Sequence, residues 1–282
     1  MNKINNKTGS LYIVATPIGN LDDISARALE ILQSVDIIAC EDTRHSTRLL
    51  ANYGIKNRLM SFHQHNENES AKKFITLLEK GNNIALISDA GTPLISDPGY
   101  PLVKQAHEKA IKVIPIVGAS AIIALLSCSG LATNEFHFYG FLSAKTQQRQ
   151  QQLAEIKNNT FTSIIYESTH RILKCLADMQ QILGDDRIIS IGRELTKTFE
   201  TIKRATIAEI KTFIENDNNQ QKGEFVIAIA GEIETSSSKI NTKQKQLAQL
   251  LSQELPPKKA AKITAEFLNG KSKDIYNFLI AN

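Results

Sequence analysis

The chain has 282 residues, enough for two domains of ordinary size or one large α/β domain, and its 42% hydrophobic and 22% charged residues are those of an ordinary soluble globular protein. Three cysteines (Cys40, Cys128, Cys175), odd in number and far apart, suggest neither a disulfide framework nor a metal knuckle and fit a reducing cytoplasm, while the polar opening MNKINNKTGS lacks the apolar core of a signal peptide. The net charge of +4 is unevenly spread: residues 236–282 hold eight lysines against Glu254, Glu266 and Asp274, so the positive excess lies in the tail.

Leu11–Ala15 reads as a strand that runs into the rigid turn Thr16-Pro17-Ile18-Gly19-Asn20. Asp22 or Asp23 is placed to cap a helix whose apolar positions Ile24, Ala28, Ile31 and Leu32 recur at helical spacing. Val35–Ala39 is the next strand, and Cys40-Glu41-Asp42-Thr43-Arg44-His45 follows it. These polar side chains suit either a sheet's ligand edge or a surface loop with a capped helix. Residues 58–62 form a short strand, then a helix runs to Lys80. His63 and His65 could share one side of an extended segment, but two histidines without a third ligand argue weakly for a metal, and none is expected.

The chain is organised around residues 84–99, IALISDAGTPLISDPG. A strand, Ile84–Ile87, stops at Ser88 and becomes a loop in which Asp89 and Asp97 flank Gly91-Thr92-Pro93. Glycines let the backbone approach a ligand, and prolines stiffen the path. A helix through Ala110 and a strand, Lys112–Ile116, come next, and a third small-residue turn, Val117-Gly118-Ala119-Ser120-Ala121, opens another helix. The uncharged stretch Val113–Asn134 is broken by Pro115, Gly118, Ser120, Ser127 and Ser129, so it reads as strand, turn and buried helix rather than a membrane span. Residues 10–130 thus alternate strand and helix, which predicts a mostly parallel sheet covered on both faces. None of the turns is GxGxxG or GxxxxGKS, so neither a dinucleotide fingerprint nor a P-loop is present.

After Gly130 the predicted elements are a strand at Phe136–Leu142, a glutamine-rich exposed helix at Lys145–Lys157 and a strand at Phe161–Tyr166 running into Glu167-Ser168-Thr169-His170-Arg171. Arg187–Gly192 is a strand running into Arg193-Glu194-Leu195-Thr196-Lys197. A short segment at Glu200–Lys203 and the strand Glu224–Ala230 complete a second α/β unit. Residues 233–242 read as a serine- and threonine-rich linker. Three short helices follow at Lys243–Gln253, Pro257–Leu268 and Lys273–Ile280, with Ser272 placed to cap the last. Their lysines suit phosphate contacts or a solvated face equally well.

LYIVATPIGNLDDISARALEIL, ACEDTRHSTRLL, ISDAGTPLISDPGYPLV, YESTHR and RELTKTFE, in this order and spacing, resemble the ribosomal RNA small subunit methyltransferase I family, and the resemblance spans residues 10–282. It implies a two-domain tetrapyrrole-methylase-like α/β fold (class III, S-adenosylmethionine-dependent), with domains at 1–118 and 119–234 and a basic helical appendage at 240–282. It further implies S-adenosylmethionine (SAM) in the cleft between the two α/β domains, and a cytoplasmic homodimer. The acceptor it implies is the ribose 2′-hydroxyl of a decoding-centre cytidine in 16S rRNA, within the small ribosomal subunit. Carried over by position, Pro17, Asp89, Gly91, Thr92, Pro93, Ile95, Gly118, Ala119 and Ser120 would hold the cofactor. Val117 stands where the family has proline.

In-line methyl transfer needs no metal, chiefly an aligned acceptor and a cofactor held by its polar ends. A ribose hydroxyl gains from a nearby base, with Glu167 the first candidate and Glu41, Asp42 and His45 behind it. Arg44, His45, His170, Arg171, Arg193 and Lys197, together with Lys258 and Lys259 of the tail, are candidate RNA contacts. The rivals are a tetrapyrrole or other small-molecule methyltransferase of the same fold and a non-catalytic rRNA-binding assembly factor. A nicotinamide oxidoreductase is more remote, since TPIGN replaces the glycine fingerprint after the first strand.

Overall fold

The computed structural model describes residues 8–63, 67–232, 240 and 242–281. The expected linker lies almost wholly outside the described residues, as does His65.

Strands β1 (Ser10–Val14), β2 (Ile37–Cys40), β3 (Leu59–Ser61), β4 (Ile84–Ile87) and β5 (Lys112–Ile116) make one sheet in the order β3-β2-β4-β1-β5, with every neighbouring pair parallel. β2 and β4 are buried along their whole length, which is why they are unbroken apolar runs rather than alternating ones. β5 takes the edge, where Pro115 withholds a donor no neighbour needs. Helices α1 (Ala26–Ser34) and α2 (Thr43–Asn52) cover one face, packing Leu32 and Leu50 with Val14, Ile38 and Ile87. Helices α3 (Glu67–Glu79) and α4 (Tyr100–Glu108) cover the other, packing Phe74 and Leu102 with Leu11, Ile37 and Leu86. The doubly covered parallel sheet expected from the alternating pattern is the one that forms. The chain leaves the adjacent strands β1 and β4 toward opposite faces, and a ligand crevice opens outside the carboxyl ends of strands that part in this way.

A second sheet holds β6 (Phe136–Phe141), β7 (Thr162–Ser168), β8 (Ile188–Arg193), β9 (Thr201–Thr206) and β10 (Glu224–Ile229) in the order β6-β7-β10-β8-β9. Only β6 and β7 are parallel; the other pairs are antiparallel. Helices α6 (Thr146–Lys157), α7 (Ile172–Leu183) and α8 (Ile207–Glu215) lie on one face, burying Leu153, Leu176, Met179 and Ile210 against Ile165, Ile189 and Ile227. On the other face α5 (Ala121–Cys128) packs Ile122, Leu125 and Leu126 against Ile164 and Val226. Although α5 follows the last strand of the first sheet, its core belongs to the second.

Helices α9 (Thr242–Ser252), α10 (Pro257–Phe267) and α11 (Ser272–Ala281) share a small core of Ile240, Ala248, Ala261 and Ile275. No helix among the described residues is long and apolar enough to cross a membrane.

Three local readings change. The cap of α1 is Ser25, whose hydroxyl accepts from the Ala28 N–H; Asp22 and Asp23 lie in a short 3₁₀ turn before it. α6 is not simply exposed: Arg149, whose side chain is 3% accessible, makes a buried ion pair with Asp178 of α7 and donates to the Ser143 and Ala144 carbonyls. β9 is a full strand, because Thr201–Thr206 pairs with Ile188–Arg193 along its length.

A candidate active-site cleft

The loops at the carboxyl ends of β1, β4 and β5 are bolted to one another. Thr16 and Gly91 exchange backbone hydrogen bonds, Thr16 N–H to the Gly91 carbonyl at 2.9 Å and Gly91 N–H to the Thr16 carbonyl at 3.1 Å. The Thr16 hydroxyl donates to the Ser88 carbonyl at 3.1 Å, and the Thr92 hydroxyl donates to the Ala119 carbonyl at 3.0 Å. Gly118 lies so close to the first strand that a Cβ there would stand 2.8 Å from the Ala15 Cβ. Beyond Thr92 the loop turns through Leu94 (φ +72°) and Ser96 (φ +67°), a left-handed path that costs non-glycine residues about 1–3 kcal/mol each. Its far end is pinned where the Gly99 N–H donates to a Glu67 carboxylate oxygen at 2.6 Å.

The second sheet closes over these loops. Asn20 N–H donates to the Thr196 hydroxyl at 3.0 Å, and Gly19, lacking a side chain, admits Lys197 and the Leu195 carbonyl against it. Between the two sheets lies a cavity of about 500 Å³, bordered by Glu41, Asp89, Thr92 and Asp97 on the first side and by Phe141, Tyr166, His170 and Lys197 on the second. That size suits a small molecule or a single nucleotide, since such sites span about 300–1,000 Å³.

The cleft is electrostatically uneven. Burial raises the Asp97 carboxyl to about 6; the Glu41 and Asp89 charges add to this, and the Ser88 hydroxyl pulls the other way. Glu41 is also raised, by burial and then by Asp89, with His63 opposing. Tyr166 is pushed up to about 12 by burial and by the Asp97 charge. At the opposite end the Lys197 ammonium donates at 2.9 Å to both Glu194 and Glu224. Burial pulls Lys197 down, but these two bonds outweigh it and hold its pKa above the usual lysine value.

The structure brings Glu41, Asp89, Gly91, Thr92, Ile95, Ser120, His170 and Lys197 to the cavity. Pro17, Pro93, Gly118 and Ala119 shape the loops behind its lining. Others are drawn elsewhere. Glu167 borders the cavity, but its carboxyl side chain is 0% exposed, accepts the Ser168 N–H at 2.8 Å and stands 3.2 Å from the Arg171 Nε. A reacting hydroxyl does not reach it in this conformation. Asp42 caps α2, accepting from the Arg44 N–H at 2.8 Å and from the Arg44 guanidinium, and these bonds hold its carboxyl below the ordinary range. Arg171 pairs with Glu167 and donates to the Leu142 and Ser143 carbonyls, and the buried Arg193 donates to the Lys222 and Phe199 carbonyls, so both guanidiniums are engaged within the fold rather than open to phosphate. Arg44 (side chain 87% exposed) and His45 lie outside the cavity lining on α2, and Lys258 and Lys259 are exposed on α10. Among the described residues, no group of His, Cys, Asp and Glu side chains is arranged to hold a metal ion.

Sequence reasoning singled out Asp97 as a loop residue without giving it a role, and it passed over Phe141 and Tyr166. A signal for Phe141 was available, because a glycine inside a strand, here Gly140, often marks a bulge.

Known proteins share this architecture. Residues 10–211 match the family described as Tetrapyrrole (Corrin/Porphyrin) Methylases, and residues 240–282 match the RsmI C-terminal HTH domain. The chain is 49% identical over 276 residues to the ribosomal RNA small subunit methyltransferase I of Haemophilus influenzae, and 48% identical over 275 residues to that of Pasteurella multocida; each alignment covers 98% of both chains. Among solved structures, a cobalt precorrin-4 methyltransferase of cobalamin biosynthesis superposes with a TM-score of 0.58 at 16% identity, covering 78% of this chain and 94% of that one. At that identity the likeness is one of fold.

Proposed function

This chain belongs to the ribosomal RNA small subunit methyltransferase I family, and we propose that it moves a methyl group from SAM to the ribose 2′-oxygen of a decoding-centre cytidine in 16S rRNA. The observation that carries the reading is the half-open cavity between the sheets, with acid-bearing, hydrogen-bonded loops on one side and an aromatic wall on the other. It lies within a chain that matches its relatives end to end.

The residues present fit the methyl donor. Asp89 Oδ1 is buried without a hydrogen-bond partner and suits an ammonium group. Gly91, at φ +80°, lines the cavity, and Gly118 packs against Ala15 with no room for a Cβ, setting the turn that carries Ser120 to the lining. Asp89, Gly91, Ile95 and the turn Gly118-Ala119-Ser120 would therefore hold SAM, which supplies an electrophilic methyl carbon on a sulfonium. The chain's own contribution is alignment: its loops are cross-linked by the Thr16, Thr92 and Gly99 hydrogen bonds and need little rearrangement to fix a reactant. Residues 1–118 and 119–234 are read as the two halves that grip the reactants. Lys258 and Lys259 of residues 240–282 supply phosphate contacts outside the cavity. The family further suggests a homodimer.

Methyl transfer from radiolabelled SAM tests the reading, using small ribosomal subunits from a strain lacking the activity, naked 16S rRNA beside them, and mapping of the product nucleotide. Label on the ribose of one decoding-centre cytidine is the expected result. SAM binding without label on either RNA substrate would refute it and favour a small-molecule methylase.

A further inference from the structure

The strand β6 contains a displacement that acts on the cleft. Phe138 pairs with Ile164 of β7, but the next pairing is Phe141 with Tyr166, so β6 spends one residue more than its partner. Gly140, at φ +67°, takes up the difference. Such a bulge re-aims the side chains beyond it. In a regular strand Phe138 and Phe141 would point to opposite faces of the sheet. With the bulge they share the face of Ile164 and Tyr166, which is the cavity face. Phe138 is the one that packs, with its ring 4.9 Å from Tyr166 and its side chain against the α5 core. Phe141 stands 5.5 Å from Tyr166 on the cavity wall and is left 53% exposed. The same bulge brings Gly140 against the braced loop of the first sheet, where a Cβ on it would lie 3.3 Å from the Ser96 hydroxyl oxygen. Asp97, which also lines the cavity, is the next residue of that loop.

We propose that this corner is the subsite for the acceptor nucleotide: Phe141 stacks on its base, and Asp97 is the catalytic residue that accepts the proton of the attacking ribose hydroxyl. The inference rests on the proposed methyl transfer to a ribose. An aromatic face left half exposed on the cavity wall suits a base taken out of its stack, because every base presents a π-face to such a ring. In the transfer the O–H bond breaks and its proton goes to the Asp97 carboxylate. The oxygen pair forms the new bond to the methyl carbon, and the electron pair of the broken carbon–sulfur bond stays on sulfur as a thioether.

Among the acids that line the cavity, Asp97 is the one beside the bulge corner that carries Phe141, as the residue after Ser96. The Glu167 carboxyl is shut in beside Arg171, and Asp42 is a helix cap. Glu41 at the end of β2, Asp89 at the end of β4 and Tyr166 of β7 are the charged and titratable groups that face Asp97. None of these is cationic; burial, with the Glu41 and Asp89 charges added and the Ser88 hydroxyl opposing, raises Asp97 to about 6, a base strength suited to work near neutral pH.

The test uses the full chain, with Asp97→Asn, Phe141→Ala and Phe141→Tyr beside wild type. Single-turnover rate and KM for small subunits are followed over about pH 5 to 8, and SAM affinity is read by calorimetry. The wild-type rate should rise with pH through about 6 and then level. Asp97→Asn should lower the rate by about 10²–10⁴-fold and abolish that rise, leaving KM and SAM affinity within about twofold. Phe141→Ala should raise KM by about 5–150-fold with the rate at saturation spared, and Phe141→Tyr should restore it. An Asp97→Asn enzyme within about threefold of wild type, a retained pH limb, or an unchanged KM in Phe141→Ala would overturn the assignment while leaving the methyl-transfer reading intact. Equal loss of SAM affinity in Asp97→Asn and Phe141→Ala would also overturn it, by placing the wall in the donor's site. A wild-type protein that binds SAM and labels no RNA would remove the methyl-transfer reading and the subsite with it.

Discussion

Replacing Glu167 with glutamine separates two roles that the sequence leaves open. The glutamine amide oxygen can still accept the Ser168 N–H, so the local turn at the end of β7 keeps its bond. What disappears is the negative charge 3.2 Å from the Arg171 Nε. Breaking a fully buried pair costs about 3–5 kcal/mol, but the Arg171 side chain is 26% exposed and keeps its bonds to the Leu142 and Ser143 carbonyls, so the loss here should be about 1–3 kcal/mol. In urea, with a slope of about 2–3 kcal/mol per molar, the midpoint of the second sheet's unfolding should fall by about 0.3–1.5 M. Under native conditions the single-turnover methyl-transfer rate should stay within about threefold of wild type, since this carboxyl does not open on the cleft. An unchanged midpoint together with a rate loss of about 100-fold would refute this reasoning and return Glu167 to the chemistry.

Gly118→Val should cost SAM affinity by about tenfold or more in calorimetry, because its Cβ would meet the Ala15 Cβ at 2.8 Å and displace the turn. Arg149→Ala should destabilise the chain by about 3–5 kcal/mol in urea titration, since it strands the Asp178 carboxylate in the core. The double change Arg149→Met with Asp178→Leu should recover most of that loss. Native protein should react with a thiol reagent at Cys128 alone: it is exposed, whereas Cys40 and Cys175 are buried and their pKa values are raised, chiefly by burial, which lowers their thiolate fraction at any given pH. Rapid labelling of Cys175 before denaturation would show that the Glu167–Arg171 pocket opens more readily than its packing allows.

The first sheet was legible because burial on both faces leaves one kind of sequence, short apolar runs that end at small or acidic residues. Ile84–Ile87 followed by Ser88-Asp89 is such a run, and its loop is where the cleft lies. The second sheet was harder. Along β7, Ile164 and Tyr166 share one face while Ile165 and Glu167 share the other, and this alternation is visible in the residues. Which face meets the cleft is decided by where α5 and the first sheet pack, and no local pattern carries that. The charged ends ESTHR and RELTK misled for a related reason: Arg171 and Arg193 serve carbonyls 29 residues away in the chain. Arg149 was hidden likewise, since nothing in TQQRQQQLAEIK points to its partner, Asp178 on the next helix.

The cleft joins two kinds of rigidity. On the first sheet the loop after β4 holds Leu94 and Ser96 in an unfavourable left-handed path, and that path persists because Thr92 is tied to Ala119 at one end and Gly99 to Glu67 at the other. On the second sheet a glycine bulge turns Phe141 to the same corner without any loop at all. A displacement at a sulfonium carbon gains little from a flexible site, because its barrier is lowered mainly by holding the attacking oxygen in line and within reach. Strain in one wall and a bulge in the other are ways of fixing side chains that ordinary helix and strand periodicity would not bring together. The gap they leave is closed at its far end by the Asn20–Thr196 hydrogen bond and by Lys197 held between Glu194 and Glu224. The separation of the two walls is therefore set in part by contacts that do not involve Asp97, so a substitution in RELTK should alter the chemistry through distance and not by removing a reacting group.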